Sequence, residues 1–220
     1  MIKKLICGDC FDYLQNINAD IIFTSPPYNR KRNDKYQNYD DTLDDYFSFL
    51  KRFIDEAKYN KYLFLNVQTN YYNKHDVYRL IGEYANKIQQ MFVWEKSNPM
   101  PANGHNITNA YEFFIVFGSK ALKANHTYTK NVLTTAVNSS TTTKIHKAVM
   151  KQEVSDWFIK NFTDENDVIC DTFMGLGTTG ISCIKYGRDF IGIEKEPTYY
   201  QIACERLKVG ASNGQNEGHD

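Results

Sequence analysis

An alternation constrains this chain more than any single residue does. Short apolar runs, Leu5–Cys7, Ile21–Phe23, Tyr62–Val67, Val168–Cys170 and Phe190–Ile193, recur with helically spaced segments between most of them. Runs of that length bounded by Gly, Pro, Asn or Asp read as buried strands. Strands that alternate with helices build an α/β fold with a mostly parallel sheet, because parallel neighbours need a long crossover. Asp44–Tyr59 places Phe47, Leu50, Phe53, Ile54 and Ala57 at helical spacing, and Asp76–Ile88, Ala148–Phe162, Thr178–Tyr186 and Thr198–Lys208 read as further helices. A short helix is expected through Leu14. Met91–Glu95 and Glu112–Phe117 read as a strand pair around a Pro/Asn/Gly-rich loop, a hairpin edge to the sheet. Ala121–Lys144 is rich in Thr, Asn, Ser and Lys without an apolar period and reads as irregular. The expected organisation is a single domain over 1–208, interrupted by a small insert at about 119–145, and a polar tail over 209–220 that lacks the apolar residues to order itself.

One strand ends in an unusual way. Asp20-Ile21-Ile22-Phe23 runs into Thr24-Ser25-Pro26-Pro27-Tyr28-Asn29. Two prolines fix φ twice and remove two backbone donors, so the strand must stop there. The result is a stiff loop with free carbonyls, a hydroxyl and an aromatic ring at the carboxyl end of a strand, the edge where open α/β sheets bind ligands. Such a set of acceptors suits a flat molecule carrying an amino group, such as a nucleobase. A Pro-Pro turn that merely ends a strand is the alternative, and the remainder of the chain decides between them.

Charge and cysteine content narrow the setting. The formal net charge is zero, yet the charges are segregated. Phe113 to Gln152 contains no Asp or Glu while holding Lys120, Lys123, Lys130, Lys144, Lys147 and Lys151, and Arg30-Lys31-Arg32 directly succeeds the Pro-Pro loop. A polyanion would meet one positive face despite the neutral total. Five scattered cysteines fit a reducing cytoplasm better than a disulfide framework, and Cys7-Gly8-Asp9-Cys10 has no second pair to complete a metal site. No apolar run reaches the length of a membrane span and no signal peptide is expected.

A second loop carries cofactor chemistry. Asp171-Thr172-Phe173-Met174-Gly175-Leu176-Gly177-Thr178-Thr179-Gly180 comes after a strand and opens a helix, whose free N–H groups and dipole favour a polar ligand. Glu194 stands at the end of the next strand, where a carboxylate can bind ribose hydroxyls. Gly175, Gly177 and Gly180 also satisfy GxGxxG, so a dinucleotide is a competing reading; a Walker A loop is excluded because no Lys-Ser/Thr pair comes after it.

The Ser25-Pro26-Pro27-Tyr28 run closely resembles the catalytic motif of the DNA amino-methyltransferases, and the Asp171 to Thr179 string resembles their S-adenosylmethionine loop. Thr172 departs from the proline usual there, a change expected to alter loop stiffness more than chemistry. Gly8-Asp9 resembles the family's site for the cofactor adenine. Ile145-His146-Lys147-Ala148 resembles the segment over the methionine end, with Lys147 in place of a proline. The catalytic loop precedes the cofactor loop, which resembles the permuted β class, and the likeness covers about residues 1–208. The resemblance implies a circularly permuted, Rossmann-like S-adenosylmethionine-dependent methyltransferase fold and transfer of a methyl group to cytosine N4 or adenine N6.

It further implies that Ser25 and the Pro26 carbonyl accept from the amino group, that Pro27 stiffens the loop and that Tyr28 stacks on the flipped base. Asp9, Asp171, Phe173, Gly175, Gly177, Thr178, Thr179, Glu194 and His146 are the implied cofactor residues. Arg30, Lys31, Arg32, Lys120, Lys123, Lys130, Lys144 and Lys147 are candidates for DNA contact, with the insert as target-recognition segment. No metal is expected. Double-stranded DNA is the expected partner of a monomer or homodimer, and any restriction endonuclease is expected as a separate chain. Methylation of an RNA base or a protein glutamine, and an inactive nucleic-acid-binding relative, remain open alternatives.

Overall fold

The computed structural model describes residues 1–30, 42–99, 101–102, 104, 106–137 and 149–214, with side chains described through Lys208. Strands β1 (Ile2–Cys7), β2 (Ile21–Thr24), β3 (Tyr62–Val67), β4 (Ile88–Lys96), β5 (Tyr111–Gly118), β6 (Val132–Thr135), β7 (Val168–Asp171) and β8 (Asp189–Glu194) form one sheet. Its order is β1-β8-β7-β2-β3-β5-β4-β6. β5 runs antiparallel to β3 and β4, and the other pairs are parallel, so every described strand except β5 ends at the same edge.

The pleat sends alternate residues to opposite layers. Ile22, Leu63, Leu65 and Val67 pack with Leu50, Phe53, Val77 and Leu80 from α1 (Tyr46–Glu56) and α2 (Lys74–Glu83). Ile21, Phe23, Phe64 and Phe114 face Val154, Phe158, Cys183 and Leu207 from α3 (Gln152–Phe162), α4 (Thr178–Lys185) and α5 (Pro197–Gly214). Strands buried on both faces are why β2 and β3 read as near-continuous apolar runs. Each fully buried Phe or Leu contributes about 1.5–3 kcal/mol. Among the described residues no helix is long and apolar enough to cross a membrane.

Four local expectations change. The segment through Leu14 forms two 3-10 turns, Cys10–Asp12 and Leu14–Asn16, the first capped by Asp9 accepting from the Phe11 amide. α2 stops at Glu83, and Ile88 is already the first residue of β4, where pairing with Phe117 overrides helical spacing. Ala121–Lys144 is not wholly irregular, since Val132–Thr135 is the outermost strand, so the β4–β5 hairpin lies one strand in from the edge. An edge strand whose inward face is Leu133 and the polar Thr135 leaves no apolar period to read. α5 continues to Gly214, past the start assigned to the polar tail.

Candidate functional site

The edge where the strands end is lined with polar groups in an order set by the sheet. Asp9 lies just after β1, Glu194 ends β8, Asp171 ends β7, Ser25 lies just after β2 and Asn66 is near the end of β3. Beyond them come Glu112 at the start of the reversed β5 and Lys96 at the end of β4. Acidic groups and glycines occupy one half of this row and the Pro-Pro loop with its partners the other.

The Pro-Pro half lines a cleft of about 800 Å³ whose wall includes Ser25, Tyr28, Asn66, Glu112, Lys96 and Trp94. Tyr28 is buried, and its hydroxyl lies 2.8 Å from Ser25 Oγ, 2.7 Å from Asn66 Oδ1 and 2.9 Å from Glu112 Oε2. Ser25 Oγ is also 3.1 Å from Asn66 Oδ1. The Asn66 amide has a fixed orientation because its Nδ2 donates to the Phe113 carbonyl at 3.0 Å. Lys96 Nζ pairs with Glu112 Oε1 at 2.6 Å. Burial and then the Glu112 charge push the Tyr28 hydroxyl well above the ordinary phenol range, so it keeps its proton.

Four oxygen–oxygen contacts therefore share the protons of two hydroxyls. The Ser25 proton finds an acceptor inward, on Asn66 or Tyr28, which leaves an Oγ lone pair for the cleft. The cluster has more acceptor than donor capacity, and an incoming N–H group is the complement it lacks.

Asparagines clamp the loop that carries these groups. The Tyr28 carbonyl accepts from Asn70 at 2.8 Å and from Asn73 at 2.7 Å. Asn29, with φ of 49°, exchanges two 3.0 Å hydrogen bonds with the Leu43 backbone. Asn and Asp are the residues that tolerate this left-handed conformation best after Gly.

On the other half, the glycine loop is shaped as a ligand cradle. Gly175 and Gly177 have φ of 55° and 79°, and a Cβ on Gly175 would stand in open space. Gly180 lets α4 pack against Phe190 and Leu207. Glu194 is buried, accepting from the Gly175 amide at 2.7 Å and the Glu196 amide at 2.8 Å. Burial raises its pKa, and those amides counter the rise. Asp9 pairs with Lys195 at 2.9 Å; burial pushes its pKa up, and Lys195, the Phe11 amide and Arg52 more than offset it, leaving it lowered.

Asp171 differs from its expected role. Its oxygens accept from Thr24 Oγ1 at 2.8 Å and Thr179 Oγ1 at 2.7 Å, both inside the protein, and burial raises its pKa. It ties the cofactor loop to the catalytic strand. Thr172 joins the same knot, donating to Thr24 Oγ1 at 3.1 Å, a bond that proline could not make. Phe173 is half-buried with its ring 5.5 Å from that of Phe53, so it braces the loop against α1. Thr178 and Thr179 are buried at the start of α4. Cys10 is buried, and burial followed by the Asp9 charge pushes its thiol up to about 12, which removes it from redox chemistry at neutral pH.

A family of DNA methylases matches residues 19–205. This chain belongs to that family. Among curated relatives of this DNA methylase, the Type II methyltransferase M2.LlaDCHI of Lactococcus lactis subsp. cremoris is 27% identical, the match covering 96% of this chain and 91% of the relative. The Type II methyltransferase M.HinfI of Haemophilus influenzae is 25% identical over 94% of this chain and 68% of its own length. The solved structure of an M1.HpyAVI–SAM complex is 27% identical, with a TM-score of 0.67 and coverage of 94% of this chain and all of that one. PvuII DNA methyltransferase (cytosine-N4-specific) is 17% identical with a TM-score of 0.75 over 96% of this chain and 92% of that one, which shows a shared fold. The methylase is thus an S-adenosylmethionine-dependent enzyme, and its buried Glu194, open Gly175 and Asp9 fit the ribose, backbone and adenine contacts expected of that cofactor.

Not all expected DNA contacts of the methylase lie together. Arg30 lines the cleft, its guanidinium 5.3 Å from the Tyr28 ring centre and its Nη2 2.6 Å from Gln68 Oε1. Lys120 and Lys123 come after Gly118, which pairs with Tyr62 at the start of β3, so they sit at the opposite edge of the sheet. Lys130 precedes β6 at the end away from the cleft. Lys31, Arg32, Lys144, His146 and Lys147 lie outside the described residues. Sequence reasoning gave no role to Asn66, Glu112 or Lys96. The signal that could have found them was a polar residue interrupting an apolar strand, as in Leu63-Phe64-Leu65-Asn66-Val67, because a buried polar group must have a partner.

Proposed function

We propose that the methylase transfers the methyl group to the exocyclic amino nitrogen of a flipped base in double-stranded DNA, cytosine N4 or adenine N6, within a restriction-modification setting. The observation that carries this reading is the acceptor-rich cluster around Ser25 at the cleft floor. An exocyclic amine is a poor nucleophile because its lone pair is delocalised into the ring. Acceptors aimed at its hydrogens favour the localised lone pair as the reaction proceeds, and pre-aligned acceptors do so without reorganisation. Ser25 Oγ and the Pro26 carbonyl take that role, Asn66 and the Tyr28 oxygen hold the Ser25 proton inward, and Pro27 keeps the loop stiff. Tyr28, anchored through its hydroxyl, offers its ring to the extruded base, and stacking of this kind is worth about 1–3 kcal/mol. The cofactor supplies an electrophilic sulfonium methyl when bound.

Arg30 gives the cleft a positive charge suited to phosphate contact, while the Lys96 charge is taken up by Glu112. Val137, which lines the cleft after β6, supports the 119–145 insert as the target-reading part. His146 is retained as a cofactor contact. The Type II relatives favour a separate endonuclease chain as companion, and five free cysteines fit the cytoplasm.

Incubating DNA with labelled S-adenosylmethionine, digesting to nucleosides and analysing them by mass spectrometry tests the proposal. N4-methylcytosine or N6-methyladenine is expected. Label only on the cytosine ring carbon, or transfer to RNA or protein but not DNA, would refute it.

A further inference from the structure

The rim of the cleft differs in chemistry from its floor. Tyr71 is 80% exposed and Ile107 95% exposed, and both line the same cleft as Ser25. Large apolar side chains among the described residues are otherwise mostly buried, so three of them at the mouth of the catalytic cleft, Tyr71, Ile107 and the less exposed Tyr72, mark a place where apolar surface meets a partner. The Tyr72 ring meets the Tyr71 ring edge-on at 5.3 Å and 89°. Lys74 Nζ lies 5.9 Å from the Tyr71 ring centre, where a flanking phosphate would be held.

The Tyr71 loop is joined to the catalytic loop and to its neighbour. Asn70 and Asn73 on either side of Tyr71-Tyr72 hold the Tyr28 carbonyl, and Asn109, two residues after Ile107, donates to the Thr69 carbonyl. Any position Tyr71 takes against DNA is therefore fixed relative to Ser25. Extracting a base leaves a gap in the stack and an unpaired partner, and an apolar ring inserted at that point offsets part of the loss.

We infer that Tyr71 is the ring that enters the duplex where the target base leaves it, with Ile107 closing the gap from the facing loop. This rests on the proposed function and assigns the rim a task distinct from the chemistry on the floor. A tyrosine merely solvated at a loop tip would show no dependence on how the target base is paired.

The test uses the full chain and a duplex carrying a sequence that the wild-type enzyme methylates. One form has the target base paired and a second has it opposite an abasic position, where little pairing must be broken. Tyr71→Ala is expected to lower kcat/KM on the paired duplex by about 5- to 150-fold, the range that loss of one stacking ring produces. It should regain most of that loss on the abasic duplex, with cofactor affinity and Tm unchanged. Tyr71→Phe, which keeps the ring, should stay within about threefold of wild type on both. An unchanged rate for Tyr71→Ala, or an equal loss on both duplexes, overturns the inference while leaving the catalytic reading intact. A wild-type enzyme that methylates no DNA overturns both.

Discussion

Replacing Asn66 by leucine separates a positioning role from a structural one. The substitution removes the acceptor at 2.7 Å from Tyr28 and 3.1 Å from Ser25, together with the 3.0 Å donor to the Phe113 carbonyl. Tyr28 keeps Glu112 and Ser25 keeps Tyr28, so the stability loss comes from the Phe113 carbonyl, about 1–3 kcal/mol after the gain from burying an apolar side chain. For a chain of this size that is roughly 2–12 °C in Tm. The kinetic effect is separate. Without Asn66 the Ser25 proton keeps only the Tyr28 oxygen, at 2.8 Å, as an inward acceptor, and it turns more often into the cleft to meet the amino group with the wrong polarity. One misdirected hydrogen bond to a group developing charge is worth about 1.5–3 kcal/mol, or about 10- to 150-fold in the chemical step. Single-turnover methyl transfer at saturating cofactor and DNA reads that step directly, and calorimetric cofactor affinity should not move. A rate within twofold of wild type in a variant with lowered Tm would show that Asn66 only fills the strand and would refute the proton-orientation argument.

Gly175→Ala and Gly180→Ala should fail differently. A Cβ on Gly180 meets Leu207 Cδ2 at 2.6 Å and Phe190 Cε1 at 2.8 Å, so this variant should lose about 1–3 kcal/mol of stability in denaturant titrations. A Cβ on Gly175 meets nothing but is held at φ of 55°, so that variant should lose about 1–2 kcal/mol and weaken cofactor binding more than its Tm suggests. The Asp171 pKa is raised above its ordinary 3.8 by burial, so its contribution to stability is full below about pH 4 and is lost as pH rises through the folded value. Asp171→Asn removes that loss, and its Tm relative to wild type should climb as pH rises above about 4; a pH-independent difference would contradict the assignment. Arg30→Ala should reduce the slope of log affinity against log salt by about 1, while Lys120→Ala with Lys123→Ala should leave it unchanged, since those lysines stand at the opposite sheet edge.

The strands and both loops were legible because their signals are local. Ile21 to Phe23 is apolar on both faces of the sheet, and Pro26-Pro27 can only come after a strand has ended. The partners of those loops were not legible, because they depend on which strands become neighbours. Asn66, Glu112 and Lys96 come from three strands that register pairing brings to one edge, Asn66 beside Phe114 and Trp94 beside Glu112. No spacing in the sequence encodes that encounter. The basic stretch is divided for the same reason: its lysines run on from Lys120 in sequence, while reversal of β5 carries Lys120 and Lys123 to the far edge.

Thr24 shows how the two halves of the site are held in register. Its hydroxyl donates to Asp171 and accepts from Thr172 Oγ1 at 3.1 Å and the Phe173 amide at 3.2 Å, and the next residue is Ser25. A buried carboxylate is an expensive way to join two loops. It is justified where a displacement of about 1 Å between reacting groups lowers the rate by orders of magnitude. The departure from proline at position 172 then has a physical meaning beyond loop stiffness, because it adds a third bond at the residue that links the glycine loop to Ser25.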